Sequence, residues 1–503
     1  WLTYKLNLGS TLYDSDLHGW DSGTAYAYGF TDTSSSASAS ASRTWNYLIE
    51  NTLSFNKKFG EHNIMGVVGM SYQDTPTRSL GSGTQDLIET AGGYYLKNVS
   101  NGKTLSSATG ANSESRLISY FGRINYNYAD RYLFQATVRH DGTSRFAKGN
   151  QWGTFPSVSF GWHISNEPFY KIKWMNSLKF RINYGQLGSQ NVGDYDYQSL
   201  IYSYAGYAFN GGTTLSNGQA IVNVANSNIT WEKKKTLNIG LDMNFFNNRL
   251  QSSIEYYDSK SQHVLYAQSI LKTVGSVADP VVNSASISNK GVEFTATWRD
   301  KISKDWSYNV SLNLSHNDNK LTGLGYGATS YDSGTTLSKV GHPIGLFYLV
   351  KTDGLYQTDE EAKKDGLINN ATAGDIKYID ANGDGTISQS DRQLLTNKSP
   401  WPKLEASLNI VANYKNWSAQ IFGFGQFFKW VYNGVRATTD VLSSQTQIRK
   451  AYYNHIWSET NKSNNVWYPR TAWGYTYNDI FYSDRWLERG DFFKFSTIAL
   501  SYN

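Results

Sequence analysis

Residues 118–128 read ISYFGRINYNY, and this stretch decides the fold. From Ile118 to Tyr128 every second residue is apolar or glycine, and most of the residues between them are polar. Successive side chains of a β-strand point to opposite faces, so the pattern predicts a strand with one apolar face and one polar face. The same alternation returns at residues 178–184, 237–245 and 308–314, which predicts a protein built largely from such strands.

The amino-acid composition indicates which class of β protein these strands form. Only 39% of the 503 residues are hydrophobic, yet 15% are aromatic, with 37 Tyr and 16 Trp. No run of 18 apolar residues is present, which excludes helical membrane spans. A chain that is polar on average, rich in aromatic residues and alternating is typical of a transmembrane β-barrel with a wet lumen. The absence of Cys excludes thiol catalysis, and a net charge of +5 without a recognition motif gives no reason to expect nucleic-acid binding.

Turns and loops follow the asymmetry of outer-membrane barrels, which have short turns on one side and long loops on the other. Short polar turns are predicted at residues 129–131, 246–249 and 413–416. Longer irregular stretches are predicted at the following positions: 34–42, 75–112, 195–227, 323–338 and 435–479. An eleven-residue strand tilted by about 45° covers roughly 25 Å of the membrane normal, which fits the apolar band of such barrels. We therefore predict an all-β, antiparallel transmembrane barrel wall over residues 1–503, with about 14 to 16 strands.

Several segments resemble one family. They are Asp141–Phe146 (DGTSRF), Phe155–Ser157 (FPS), Leu178–Gln186 (LKFRINYGQ) with Gly188 and Gln190, Trp231–Glu232 (WE), Asn289–Glu293 (NKGVE), and Gly341–Gly345 (GHPIG) with Lys351–Leu355 (KTDGL). In this order they are similar to the SusC/RagA family of TonB-dependent outer-membrane transporters from Bacteroidetes. The resemblance covers nearly the whole chain.

The resemblance implies a 22-stranded barrel with an N-terminal plug and a TonB box. Neither of these is readable in this sequence, and its last strand resembles one from late in the family's barrel. We therefore expect the chain to cover most of the barrel wall, with the plug and the closing strands outside it.

The resemblance also implies a function and a location. The full protein would lie in the outer membrane as a multi-pass protein surrounded by lipid. It would import oligosaccharides, or secondly oligopeptides, with TonB acting through the missing N-terminal region. A SusD-like surface lipoprotein would be its partner, and a dimer of the transporter–lipoprotein pair is a further implied assembly.

Residues 380–391 read DANGDGTISQSD and match the spacing of an EF-hand-type calcium loop, with Gly385 as the sixth residue. The loop lies within residues 375–395. Its predicted ligand positions are Asp380, Asn382, Asp384, Thr386, Ser388 and Asp391. Hard oxygen ligands favour Ca²⁺ in a structural role, although Asp at the twelfth position reaches less far than Glu. The alternative is an Asx-rich turn held by its own side-chain hydrogen bonds.

Aromatic residues in the predicted loops are candidates for substrate contact, because flat apolar rings with polar tips suit sugar rings. The candidates are Tyr202, Tyr204, Tyr207, Tyr452, Tyr453 and Trp467. The alternative for each residue is anchoring at the membrane interface or packing within a loop.

No motif predicts an enzyme. The eight His residues have no catalytic or metal-binding spacing, and neither a nucleophile elbow nor a phosphate loop is present. Arg123, Arg139 and Arg181 fall on the polar faces of their strands, where we expect them to pair with carboxylates of the plug or the wall. Two other functions stay open, a passive porin and a soluble β-rich adhesin or glycan-binding protein.

Overall fold

The computed structural model describes residues 1–23, 34–208, 216–221, 224–268, 270–271, 273, 278–439, 454–464, 466–471 and 482–502. Twenty-four strands and two short helices lie in these residues. Neither helix has the length and apolarity that a membrane span requires. The all-β prediction is confirmed.

The strands are β1 (Leu2–Asp21), β2 (Ser36–Phe59), β3 (His62–Leu87), β4 (Gly102–Tyr128), β5 (Tyr132–Thr143), β6 (Trp152–His163), β7 (Met175–Ser189), β8 (Ile201–Tyr207), β9 (Ser216–Ile221), β10 (Glu232–Phe245), β11 (Leu250–Ala267), β12 (Val281–Lys301), β13 (Trp306–Gly323), β14 (Ser330–Asp332), β15 (Thr336–Lys339), β16 (Leu346–Val350), β17 (Thr352–Leu355), β18 (Ile376–Tyr378), β19 (Arg392–Leu394), β20 (Leu404–Tyr414), β21 (Trp417–Phe427), β22 (Trp430–Tyr432), β23 (Leu487–Arg489) and β24 (Phe492–Tyr502). The helices are α1 (Asp359–Asp365) and α2 (Gly434–Thr439).

The chain forms two compact units. Unit 1 comprises residues 1–162, 183–235 and 262–283, and unit 2 comprises residues 163–182, 236–261 and 284–503. Within unit 1, β1 to β6 pair antiparallel in chain order. Within unit 2, the order is β10-β11-β12-β13-β20-β21-β24. Most neighbouring strands are also consecutive in sequence, which is the up-and-down arrangement that short turns favour. The short strands β14 to β19 lie in the connection between β13 and β20, and β22 and β23 lie in the connection between β21 and β24.

The strand register in unit 1 places apolar side chains in one continuous row. Leu53 faces Val68, Val68 faces Gly122, Gly122 faces Val138, and Val138 faces Pro156. These side chains are exposed, with 59% of Val68 and 48% of Val138 accessible. Because soluble monomers rarely expose a contiguous apolar band of this kind, the face is suited to lipid.

The opposite face carries polar side chains that pair across strands. In unit 2, Asn313 Nδ2 donates to Ser407 Oγ at 3.0 Å, and Gln420 Nε2 donates to Asn409 Oδ1 at 3.0 Å. In unit 1, Asn7 Nδ2 donates to Glu50 Oε1 at 3.0 Å. Alternation along each strand therefore produces one apolar and one polar face, as the sequence predicts.

Aromatic rings mark the ends of the strands next to the short turns. In unit 1, Tyr128 and Tyr132 stack with ring centroids 6.4 Å apart across the turn that joins β4 and β5. In unit 2, Trp306 lies 4.9 Å from Tyr414, and Trp417 lies 5.0 Å from Tyr502. Such rings at strand ends are typical of the aromatic girdles of membrane barrels.

The three predicted short turns are confirmed. Each contains residues in the left-handed region, including Ala129 (φ 53°), Asp130 (φ 51°), Asn247 (φ 55°), Asn248 (φ 63°) and Lys415 (φ 48°). Asn and Asp tolerate this conformation because their short side chains bond nearby backbone groups.

Two predicted loops are largely strand, and those predictions are wrong. β2 begins at Ser36, β3 continues to Leu87 and β4 begins at Gly102, so most of residues 34–42 and 75–112 lie in long hairpins. Pairs such as Ser40 with Gly81 and Gly81 with Thr109 extend the ladder. Ser and Ala alternate over residues 36–42, but both side chains are small, so the alternation gives little contrast in hydrophobicity. Backbone hydrogen bonds to an already paired neighbour extend the strands there. Predicted loops 195–227 and 323–338 also contain short strands, β8 and β9 in the first, and β14 and β15 in the second.

A hydrophobic core lies in unit 2, formed by residues from the segments 350–378 and 457–468 and by Trp486. We call this part the loop module. Its largest buried side chains are Trp486, Tyr356, Tyr378 and Tyr468, each exposed by 2% or less. The sequence predicted irregular structure for residues 435–479, but Trp457, Val466 and Tyr468 pack into this core.

Helix α1 belongs to the loop module and is capped at both ends. The Thr358 hydroxyl accepts a hydrogen bond from the Glu361 N–H at 3.1 Å, which satisfies one of the free amides of the first turn. Gly366 follows the helix with φ 64°, and its N–H donates to the Ala362 carbonyl. The helix contributes its own Ala362 to the module's core.

Candidate functional site

A cleft of about 440 Å³ opens on the polar face of unit 1. Most of the lining comes from strands β4, β5, β6 and β7. Trp231, the residue before β10, also lines the cleft. The polar lining includes Arg123, Gln135, Thr137, Arg139, Gln186 and Gln190. The cleft therefore combines charged and amide groups with an aromatic wall.

The wall of the cleft is rigid because it belongs to a buried aromatic cluster. Phe155 and Trp231 are 5% and 3% exposed, and Phe146 is fully buried. The Trp231 ring meets Phe155 edge-on at 5.3 Å and Phe146 edge-on at 5.5 Å. Its indole N–H donates to the Gln151 carbonyl at 3.0 Å.

Segments that are distant in sequence meet at this cluster. Phe146 ends the DGTSRF segment, Phe155 begins FPS, Gly188 follows YGQ, and Trp231 begins WE. A Cβ atom at Gly188 would lie 2.1 Å from Phe155 Cζ, so only glycine allows this approach. Four of the segments that carry the family resemblance thus build one structural junction, which the sequence alone did not reveal.

A salt bridge strengthens the same junction. Arg145 Nε donates to Asp194 Oδ1 at 2.9 Å, and Asp194 is largely buried. The bridge ties the loop after β5 to the loop after β7.

The arginines of the polar face differ in their partners. Arg139 Nε donates to both carboxylate oxygens of Asp141, at 2.8 and 2.9 Å, and Arg139 Nη2 donates to Ser119 Oγ at 2.7 Å. In unit 2, Arg181 lies 3.2 Å from an Asp242 oxygen and 2.5 Å from a Glu255 oxygen. The prediction of wall carboxylates is confirmed for these two arginines.

Arg123 has a different environment. Its Nε donates to Thr137 Oγ1 at 3.2 Å, and no carboxylate of the described residues pairs with it. For Arg123 a carboxylate partner stays a prediction.

The predicted calcium loop is a network of side-chain to backbone hydrogen bonds. Asp380 accepts from the Gly383 and Gly385 amides at 2.7 and 2.9 Å. The buried Asp391 accepts from the Ala381 and Ser388 amides at 2.9 and 2.7 Å.

The other predicted ligands take part in the same network. Asn382 Oδ1 accepts from the Asp384 amide at 2.9 Å. Hydrogen bonds from the side chain and the amide of Thr386 lower the pKa of Asp384 below its usual value. In the described part of the chain, no three His, Cys, Asp or Glu side chains converge as a metal-binding group. This arrangement matches the Asx-turn alternative, and calcium binding stays a prediction.

Among the predicted substrate contacts, the structure describes the side chain of Trp467 only. Trp467 is 49% exposed, and His455 stacks on it with ring centroids 4.4 Å apart at an angle of 13°. Arg436 Nη2 donates to the Trp467 carbonyl at 3.0 Å. Tyr202, Tyr204 and Tyr207 lie in β8, and their side chains, like residues Tyr452 and Tyr453, lie outside the described part of the chain.

Arg436 connects Trp467 to the core of the loop module. Its guanidinium lies 5.1 Å from the Tyr468 ring and 5.7 Å from the Trp486 ring, and it pairs with Glu488. Burial, followed by repulsion from Arg436, lowers the pKa of Arg485 to about 10. This arginine pair could not be predicted from the sequence, because Arg436 and Arg485 are distant from each other along the chain.

Comparison with known proteins places the chain in a family. Residues 1–486 match the family described as "TonB dependent receptor-like, beta-barrel". The chain belongs to this family. The resemblance to SusC/RagA proteins is therefore confirmed, and the family consists of β-barrels of the outer membrane.

Curated relatives agree with the assignment. TonB-dependent receptor P3 of Formosa agariphila is 30% identical over 92% of this chain. TonB-dependent receptor SusC of Bacteroides thetaiotaomicron is 31% identical over 78% of this chain. The matches cover 45% and 38% of those proteins, so the chain spans less than half the length of these two relatives.

A solved structure shows the same fold. The structure titled "Structure of the RagAB peptide transporter" superimposes with a TM-score of 0.81 and 22% identity, over all of this chain and 53% of that one. In an outer-membrane barrel the apolar face of each strand meets lipid and the polar face lines the lumen. The cleft in unit 1 is accordingly on the lumen side of its strands.

Proposed function

We propose that the full-length protein is a TonB-dependent importer of the outer membrane. Its cargo would be an oligosaccharide or, secondly, an oligopeptide, delivered by a SusD-like surface lipoprotein. The observation that carries the proposal is the match of residues 1–486 to the receptor barrel family. A polar lumen face with cross-strand amide and hydroxyl pairs supports it, because a polar cargo needs a hydrogen-bonding path.

Two observations bear on the class of cargo. A protein with the same fold is titled a peptide transporter, which favours peptides. The half-exposed Trp467, which contacts His455 and Arg436, is an aromatic side chain of the kind that sugar rings contact.

The test is uptake in the native bacterium. Deletion of the gene should abolish uptake of at least one labelled oligosaccharide or oligopeptide, and the intact gene should restore it. Collapse of the proton gradient should reduce uptake by the wild type to the level of the deletion strain. Unchanged uptake of all cargoes in the deletion strain would disprove the proposal.

The two alternatives make different predictions. A passive porin would conduct ions steadily in a planar bilayer and would transport cargo after the proton gradient is collapsed. A soluble adhesin or glycan-binding protein would be extracted in water without detergent. The exposed apolar row from Leu53 to Pro156 argues against the soluble alternative.

We also propose that Ca²⁺ binds residues 380–391 and that the protein has no enzymatic activity. The spacing of the oxygen-bearing residues supports calcium binding. The second proposal is supported by the sequence, in which we find no catalytic motif. Hydrolysis of candidate glycans by the purified protein, lost on replacement of a single carboxylate, would contradict the second proposal.

A further inference from the structure

The cleft in unit 1 has an uncompensated positive charge. Arg139 is neutralised by Asp141, which is only 7% exposed and accepts two hydrogen bonds from it. Arg123 lines the same cleft, and no carboxylate among the described residues pairs with it. With two arginines and one aspartate, the cleft carries one positive charge in excess.

The Arg123 guanidinium is exposed in the cleft and retains unused hydrogen-bond donors. Thr137 Oγ1 accepts from its Nε at 3.2 Å, and its terminal nitrogens form no hydrogen bond with any described residue. The two parallel N–H groups of a guanidinium match the two oxygens of a carboxylate. A single excess charge fits a carboxylate better than a phosphate group, whose charge at neutral pH is about −1.5 to −2.

Two amide side chains complete the polar part of the cleft. Gln135 and Gln186 both line it, and neither forms a side-chain hydrogen bond with other described residues. Each can donate and accept, so a ligand with its own N–H or O–H groups can be bound beside its carboxylate. Phe155 and Trp231 add an apolar wall for the ligand's carbon skeleton.

We propose that this cleft is a carboxylate-binding site in which Arg123 binds the carboxylate and Gln135 and Gln186 bind neighbouring polar groups. The carboxylate has two possible sources. One is the cargo, and this source rests on the proposed import function. The other is a polypeptide segment of the longer protein, because the matching relatives are more than twice the length of the matched region.

The experiment uses the full-length protein in detergent, with N-acetyltrialanine and its C-terminal amide as probes. The variants are Arg123→Gln, Arg123→Lys and, as a matched control, Arg299→Gln. Arg299 is an exposed arginine in β12 that does not line the cleft. Binding is measured by calorimetry. Thermal stability is measured as the temperature at which the band of the folded protein is lost in detergent gels.

If the cargo is the source, the wild type binds the acid more tightly than the amide. Arg123→Gln then weakens binding of the acid about tenfold and leaves the amide unchanged, since a charged hydrogen-bonding partner is removed. Arg123→Lys restores part of the affinity, and Arg299→Gln has no effect.

If the polypeptide is the source, both probes bind equally weakly. Arg123→Gln then lowers the melting temperature, Arg123→Lys restores part of it, and Arg299→Gln leaves it unchanged. The proposal is overturned if Arg123→Gln changes neither probe affinity nor stability relative to Arg299→Gln. Because neither measurement requires transport, this result is distinct from failure of the proposed import function.

Discussion

Gly188 lies so close to Phe155 that a Cβ atom at residue 188 would be 2.1 Å from the Phe155 Cζ atom. The ring has no room to withdraw, because Phe155 is 5% exposed and packs edge-on against Trp231 at 5.3 Å. The contact joins β7 to the buried cluster that forms one wall of the cleft.

We expect Gly188→Ala to destabilise the barrel by about 1 to 3 kcal/mol, because overpacking forces the ring or the backbone to move. The measurement is the temperature at which the folded band is lost in detergent gels. The control is Gly122→Ala in β4, where the nearest side-chain atom, Val68 Cγ1, would be 3.8 Å from the new Cβ. Equal melting temperatures for the two variants would contradict the prediction.

Removal of Arg470 should loosen the loop module. Arg470 donates to both oxygens of Asp375 at 2.7 and 3.1 Å, and Asp375 is only 1% exposed. Arg470→Ala removes this ion pair from the buried carboxylate, at an expected cost of about 3 kcal/mol. Hydrogen exchange of residues 350–378 should become faster. Lys462→Ala, which removes an exposed pair with Glu459, should leave exchange unchanged.

Acid should weaken the contact between β14 and β19. Burial raises the pKa of Asp332, but hydrogen bonds from Arg392 and the Gly334 amide outweigh it, so the pKa falls below its usual 3.8. A carboxyl whose pKa is lower in the folded state stabilises the fold above pH 3.8, and this stability is lost as the pH falls further. Protease cleavage near residues 330–339 should therefore increase below that pH.

The control for this prediction is Asp332→Asn, which removes the titrating group. Its cleavage should be faster than that of the wild type at neutral pH and should change little as the pH falls towards 3. A wild type that shows the same flat profile would exclude a role for the Asp332–Arg392 pair, whose closest nitrogen and oxygen are 2.7 Å apart.

Calcium should order residues 380–391 if the prediction from the spacing is right. Chelator treatment of the purified protein should then expose this loop to protease, and added Ca²⁺ should protect it again. Asp384→Ala should weaken protection, because Asp384 is the predicted ligand at the fifth position of the loop. Mg²⁺ serves as the control ion. Identical cleavage with and without Ca²⁺ would leave the Asx-turn network as the full account of the loop.

The sequence was sufficient for the strands with clear apolar–polar alternation and for the short turns between them. Alternation at residues 118–128 predicted a strand with two different faces, and the structure has β4 there. The stretch 246–249 predicted a turn, in which the structure shows Asn247 and Asn248 in the left-handed region. The prediction failed at residues 34–42, because the Ser and Ala residues that alternate there differ little in size and hydrophobicity, so they were interpreted as a low-complexity loop although their backbone pairs with β3. The polar partners of Arg139 and Arg181 were predicted as a class, although the sequence could not name Asp141, Asp242 or Glu255.

What the sequence determined by itself is local. Period-two alternation is a property of consecutive residues, so it fixed the strand type, the lipid and lumen faces and, through ordered segments, the family. The tertiary structure alone decided which residues meet, since contacts between distant strands depend on register. Only the tertiary structure brings Gly188 to Phe155 and builds the core of the loop module around Trp486. Only there is Arg123 seen to have no carboxylate partner among the described residues.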